Sequence, residues 1–364
     1  MKKIVFVIDS LDIGGAETYL VEMLKCAPEN LKLKVVTIHG GGKLEADLPE
    51  WVELQSVFPN SFQKKGLFFR GTRFFFKKLI FNSKFIAKKL DISVESDLVI
   101  SFLENQSCRL VSLLDSKKVC WIHTDLTRQD PRFKHSIGTY NQFSKLIFVS
   151  KTALESYIKK YGEHGDFEVL YNCINIDSIQ EKSNRKERYS LPKGDYTVSV
   201  GRLCNAKGYD FMIEALAKLK KIKPDFRHYI IGDGPDKEKI SQDIEMFGLT
   251  DNVILTGALK NPFPIVKGAK LLLMTSAWEG FGLVVVEALS LNVPVVATEI
   301  PAQVEIFSRF NNYYPVKRDL SEVIKQYLTV CNSETDFVYE DSNVFSEFVP
   351  ANFWSNVLRL KNEV

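Results

Sequence analysis

Two glutamates eight residues apart, Glu279 and Glu287, lie in the stretch Ser276-Ala-Trp-Glu-Gly-Phe-Gly-Leu-Val-Val-Val-Glu287-Ala-Leu, and their setting implies a chemistry. Gly280 and Gly282 precede an apolar run that reads as a helix, whose first backbone N–H groups and positive dipole end suit a phosphate. Carboxylates flanking such a site hold phosphate badly but accept hydrogen bonds from sugar hydroxyls. Phosphate and sugar together describe a nucleotide-sugar. A Glu-x7-Glu spacing arises by chance in many chains, so the surrounding elements carry the weight. The apolar strand Ala269–Thr275 runs into the glycine loop, and a second strand, Val293–Ala297, follows the helix. Strand, loop, helix, strand is a parallel-sheet unit, which binds ligands at the carboxyl ends of its strands.

Cations for a diphosphate occur upstream. In Val200-Gly201-Arg202-Leu-Cys-Asn-Ala-Lys207-Gly208 a strand ends at Gly201, and the loop after it carries Arg202 and Lys207. They could neutralise a diphosphate and stabilise it as a leaving group without metal. Most such loop cations are merely solvated, and only the company of the glycine loop singles these out. The chain has no Asp-x-Asp pair to seat a divalent ion, so neither metal nor cofactor is expected. Gly232-Asp-Gly234-Pro reads as a turn near the nucleotide. Asp12-Ile-Gly14-Gly15-Ala-Glu17 follows the first strand, where Gly15 would let the backbone approach a ligand. His123 ends another strand of the same half, as catalytic group or as a structural one at even weight.

At 364 residues the chain suits two domains. Its 45% hydrophobic and 26% charged content is that of a globular protein, and no run of 18 apolar residues is present to span a membrane. Met1–Ile8 reads as a first strand and not as a signal peptide. Six scattered cysteines without metal spacing point to free thiols in a cytoplasmic protein. β-Branched runs alternate with helical patterns throughout, which predicts parallel sheets covered on both faces. The expected domains are 1–175, binding acceptor, and 176–344, binding nucleotide-sugar. The hinge is expected at the polar segment 177–193, and a helix over Phe345–Leu360 is expected to return to the first domain.

The glycines and Glu17 of Gly14-Gly15-Ala-Glu17, the Gly201-Arg202…Lys207 segment, Tyr171-Asn172, Gly232-Asp-Gly-Pro and Glu279-Gly-Phe-Gly-x4-Glu287 together resemble family 4 of the retaining glycosyltransferases, especially the bacterial capsule and O-antigen enzymes. The resemblance runs from about residue 1 to 310. It implies the α/β GT-B fold, two doubly wound Rossmann-like domains facing a central cleft. It also implies roles: Arg202 and Lys207 on the donor diphosphate, Glu287 on the ribose, and Glu279 with Gly280, Phe281, Gly282 and Leu283 on donor sugar and phosphates. Gly15, Gly201 and Gly232 would lie near the nucleotide-sugar, and His123 near the reacting face of the sugar. The implied reaction is metal-independent hexosyl transfer with retention, from a UDP-sugar by family-level preference, to a lipid-linked glycan. Glu279 would position and not act as a nucleophile. Thr298–Glu305 lacks the glycine common ahead of the glutamate that matches Glu305, which leaves donor-sugar specificity open.

Residues 62–90 hold nine Lys or Arg, eight Phe and no acid. A helical projection puts Arg70, Arg73, Lys77, Lys84 and Lys88 on one face, which is expected to bind the acceptor's diphosphate and an anionic inner membrane surface. The bland alternative is an ordinary amphipathic surface helix. Nucleic acid is disfavoured by a net charge of only +3 and the lack of a binding motif. Alternatives on the same fold are a nucleotide-sugar epimerase, a sugar phosphorylase, for which no pyridoxal lysine is evident, and a non-catalytic partner subunit.

Overall fold

A computed structural model describes residues 3–59, 90–91, 98–127, 135–187, 189–333 and 342–363. The basic segment around Arg70, Arg73, Lys77, Lys84 and Lys88 lies outside the described residues. The chain divides into two units, Met1–Cys173 with Phe348–Val364, and Ile174–Glu347.

The first unit is built on seven strands, β1 (Lys3–Ile8), β2 (Lys32–His39), β3 (Glu53–Phe58), β4 (Leu98–Ser101), β5 (Lys117–Ile122), β6 (Lys145–Phe148) and β7 (Phe167–Val169). They form one sheet in the order β3-β2-β1-β4-β5-β6-β7, and every pairing is parallel. The helices α1 (Gly15–Lys25), α2 (Gln106–Ser112), α3 (Ile137–Tyr140) and α4 (Lys151–Tyr161) connect them. Residues Ile4 to Ile8 are all solvent-free, as an apolar strand covered on both faces must be. The strand order reverses between β1 and β4, which opens a crevice where their carboxyl ends diverge.

The second unit repeats the plan with β8 (Thr197–Val200), β9 (His228–Ile231), β10 (Val253–Gly257), β11 (Leu272–Met274), β12 (Val295–Thr298) and β13 (Tyr313–Val316). Their order is β10-β9-β8-β11-β12-β13, again all parallel, with the reversal between β8 and β11. Its helices are α5 (Ile176–Ser183), α6 (Tyr209–Lys220), α7 (Lys237–Met246), α8 (Phe263–Lys267), α9 (Leu283–Ser290), α10 (Pro301–Phe307) and α11 (Leu320–Cys331). The doubly wound parallel architecture expected from the alternating pattern is therefore present in both units.

The last helix, α12 (Pro350–Glu363), belongs to the first unit. Phe353 lies 5.3 Å from Trp121 and 6.3 Å from Phe6, and Trp354 Nε1 donates to the Met23 carbonyl at 2.9 Å. Arg359 pairs with Glu168 at the β7 edge. The helix anticipated over Phe345–Leu360 thus starts later, because Ser342–Phe348 winds as a 3-10 turn ahead of Pro350, which suits a first helical turn.

The polar segment 177–193 is not a bare hinge: Asn175 caps α5 by accepting the Ser178 N–H at 3.0 Å, and the chain divides just before it. Strands β3 and β13 carry no strong strand pattern. Both are edge strands, and β13 tolerates Pro315 because an edge position leaves no ladder bond to lose on its outer side.

At the amino end of β9 His228 is fully buried. It bonds Thr197 Oγ1 at 2.7 Å and Ser199 Oγ at 3.0 Å, and Thr197 continues to Tyr327 OH at 2.9 Å. Burial pushes the imidazole down to about 3, so the folded unit holds it neutral while the unfolded chain protonates below its ordinary value. Stability is therefore lost as pH falls from about 6.5 toward 3, and by pH 5.5 His228 alone costs about 1.4 kcal/mol. Urea midpoints at pH 7.5 and 5.5 should differ accordingly, and His228→Gln should flatten that difference. An unchanged difference in the variant would assign the acid sensitivity elsewhere.

Candidate functional site

In the second unit, the residues singled out from sequence gather at the carboxyl ends of three neighbouring strands, β9, β8 and β11. Gly201 and Arg202 follow β8, Gly232 follows β9, and Glu279 and Gly280 lie in the loop between β11 and α9. Leu283 begins α9, with Gly282 as its N-cap at φ +96°, a left-handed conformation that favours glycine. A Cβ there would also lie 2.5 Å from Gln303 Nε2. Phe281 is buried against Phe307 at 5.7 Å and anchors the loop. Glu287 sits one turn into α9, half-buried.

The loops interlock. Lys207 Nζ meets Glu279 Oε1 at 2.5 Å, and Ser276 Oγ donates to the same oxygen at 2.8 Å. Ala277 N–H donates to the Ala206 carbonyl at 2.8 Å, and Thr275 Oγ1 donates to the Gly208 carbonyl at 2.9 Å. Gly208 is left-handed at φ +63°, and its own Cβ would stand 2.2 Å from the Thr275 oxygen. Only glycine lets the Lys207 loop lie this close to β11's end. Arg202 is exposed and makes no ion pair with a described residue. Lys207 and Glu279 thus meet across the loops that follow β8 and β11, and Arg202 lies in the first of these loops.

Sequence reasoning missed Arg318. Its guanidinium donates to the Thr275 carbonyl at 2.7 Å, covers the Phe211 ring at 4.6 Å and stands 3.9 Å from Asp210. It ties the loop after β13 to the loop after β11 and to the first turn of α6. No local signal marks it, because its partners are 43 and more residues away in sequence.

In the first unit Gly15 opens α1, exposed, with nothing within 4 Å of where its Cβ would be. The protein itself does not require glycine there. His123, next after β5, packs against Phe102 at 4.8 Å and Tyr19 at 6.2 Å. Its Nε2 is buried with no hydrogen-bond partner among the described residues, and burial pushes its pKa down to about 3. Its backbone N–H donates to Glu104 Oε2 at 3.0 Å. Glu104, three residues beyond β4, is 4% exposed, and burial raises it to about 7. Sequence reasoning passed over Glu104 although it closely follows an expected strand.

Among the described residues no group of three or more His, Cys, Asp or Glu could hold a metal ion, and no helix is long and apolar enough to cross a membrane.

Two family models match the chain in tandem, "Glycosyltransferase Family 4" over residues 13–178 and "Glycosyl transferases group 1" over residues 180–340. An uncharacterized glycosyltransferase of Methanocaldococcus jannaschii is 28% identical over 56% of this chain and 55% of its own. The chain thus spans about half of that relative. The N-acetylgalactosamine-N,N'-diacetylbacillosaminyl-diphospho-undecaprenol 4-alpha-N-acetylgalactosaminyltransferase of Campylobacter jejuni is 26% identical over 82% of this chain and 81% of its own. Among solved structures, S. aureus TarM, crystallised with UDP, superposes with a TM-score of 0.76 over all of both chains at 15% identity, a likeness of fold. With both halves matched in order and both sheets of the GT-B type, the chain belongs to the group 1, family 4 glycosyltransferases.

Proposed function

We propose that the chain transfers a sugar from a nucleotide-sugar, in the first instance a UDP-sugar, to a glycan acceptor carried on a lipid diphosphate, with retention and without metal. The observation that carries this reading is the Lys207–Glu279 pair, which joins the loop that carries Arg202 to the loop that leads into α9. In the resting site the carboxylate neutralises the lysine. An incoming diphosphate brings more negative charge and further acceptor oxygens, so it draws Lys207 and Arg202 to itself. Glu279, released from Lys207 and still held by Ser276, accepts a hydrogen bond from a donor-sugar hydroxyl. The α9 N–H groups take phosphate oxygens, and Glu287 takes the ribose hydroxyls. As the C1–O bond to phosphate breaks, the two cations and the helix end stabilise the departing diphosphate, and the acceptor oxygen bonds to C1 on the same face. Glu279 positions the sugar and forms no bond to it.

The Campylobacter relative, by its name, acts on an undecaprenol diphosphate acceptor, and TarM was crystallised with UDP; both support the reading. A thermal-shift panel of UDP, GDP, ADP and their sugars is expected to give its largest shift with uridine nucleotides, undiminished by EDTA. Stabilisation by none of them would refute a nucleotide-sugar site, and abolition of transfer by EDTA would refute metal independence.

A further inference from the structure

The glycine loop that leads into α9 is backed by the end of β12 and by α10, the stretch whose missing glycine leaves donor-sugar specificity open. Three of its side chains reach the loop. Thr298 Oγ1 donates to the Ser276 carbonyl at 2.6 Å, Phe307 packs on Phe281 at 5.7 Å, and Gln303 stands against Gly282. The first two are explained by these contacts, and Gln303 is not. It is fully buried, yet its Oε1 has no hydrogen-bond partner among the described residues. Its Nε2 donates to the Met274 thioether at 3.4 Å, a weak acceptor.

This placement runs against local preference twice. Gln303 is the third residue of α10, where a glutamine ordinarily turns back to accept the N–H of the capping residue. Here Oε1 accepts nothing, and a buried acceptor without a partner weakens the fold. The orientation of the amide is also the reverse of what α9 alone favours. A helix start carries partial positive charge and attracts an oxygen. From the point that a Gly282 Cβ would occupy, the nearest atoms are Gln303 Nε2, Cδ and Cγ, at 2.5, 3.4 and 3.5 Å, so Oε1 lies farther away. The N–H end of the amide therefore faces the N-cap of α9, positive end toward positive end. That arrangement becomes favourable once an anion sits at the helix start.

We propose that Gln303 is a positioning residue for the nucleotide-sugar: its amide seats the left-handed turn at Gly282 and aims its N–H end at the start of α9, which strengthens the hold on a diphosphate there. This deepens the nucleotide-sugar reading and rests on it. The amide acts without touching the ligand. It fills the space that a side chain at 282 would need and so backs the turn that sets the direction of the first α9 N–H groups. Its dipole adds to theirs. The unpaired Oε1 is what that orientation costs the fold.

The test compares the wild-type chain with Gln303→Met and Gln303→Glu. Methionine is unbranched and similar in length, with neither the unpaired oxygen nor the amide dipole. Gln303→Met should melt roughly 2–4 °C higher than wild type, because a buried unpaired acceptor is gone. The same variant should bind UDP roughly 3–10-fold more weakly by calorimetry, because the helix start loses the added dipole. Gln303→Glu puts an acceptor in place of the N–H end and should bind UDP more weakly still at pH 8. A side chain that served only the fold would lower both readouts together. UDP affinity in Gln303→Met equal to wild type would overturn the proposal, leaving the amide as a space-filling group. A lower melting temperature in Gln303→Met would overturn it as well, since the amide would then hold the fold. Failure of the wild type to bind UDP would instead fault the nucleotide-sugar reading itself.

Discussion

Lys207→Ala should lower the transfer rate by about 10²–10³-fold while the second unit stays folded, because on the proposed reading it removes one of two charges that meet the leaving diphosphate. The effect exceeds that of an ordinary surface cation for a structural reason. Lys207 stands on a loop pinned to β11 by Gly208 and Thr275, so its ammonium has only to exchange Glu279 for the diphosphate. Preorganised charge costs no rearrangement during the reaction. The resting ion pair adds a prediction of opposite sign. Glu279→Gln removes the competitor for Lys207, so UDP itself should bind several-fold tighter while transfer falls, because the sugar loses its carboxylate. Steady-state rates and calorimetric UDP affinities for both single variants and the double variant form a cycle that reads the coupling. Lys207→Ala retaining more than a tenth of wild-type transfer would remove the clamp role. Weaker UDP binding in Glu279→Gln would mean that the carboxylate supports the nucleotide and does not compete with it.

Gly232→Ala is expected to destabilise the second unit by about 3 kcal/mol or more, the scale of a buried steric conflict with backbone on both sides. A Cβ at Gly232 would lie 1.9 Å from the Gly201 carbonyl oxygen. Neither strand can yield, since Gly201 N–H donates to the Ile231 carbonyl and Gly232 N–H to the Gly257 carbonyl, both at 3.0 Å. For a unit of this size that corresponds to a melting temperature lower by roughly 6–12 °C. Gly15→Ala should do the reverse. Its Cβ meets nothing within 4 Å, so the fold should be unmoved while transfer falls, if Gly15 is kept for close approach of a ligand. Calorimetric melting beside activity separates the two glycines. Equal melting temperatures for wild type and Gly232→Ala would show that the sheet relaxes around the added methyl.

Much of the candidate site in the second unit was legible because its parts are local. Each strand, its glycine and the charged residue after it lie within a few positions of one another, as in Val200–Lys207 and Met274–Glu287. Parallel strands bring all such loops to one end of a sheet. The pairing of Glu104 with the His123 backbone in the first unit was not legible. Glu104 and His123 belong to separate connections, and nothing in their own neighbourhoods says that β4 lies between β1 and β5. The helix α5 was not legible either, because polar composition does not distinguish a linker from a short capped helix.

The sequence by itself determined that both halves are doubly wound, since apolar runs long enough for a strand but not for a helix, alternating with amphipathic segments, have no other way to bury both faces. It also determined the residue types at the strand ends. The tertiary structure alone decided partners: that Lys207 pairs with Glu279, 72 residues away, and that Arg318 holds the Thr275 carbonyl at the start of the same loop. It also set Glu104 against His123 in a place where burial, not sequence, sets its proton affinity. Those pairings follow from which strands are neighbours, a non-local choice made by the packing of whole sheets and carried by no single segment.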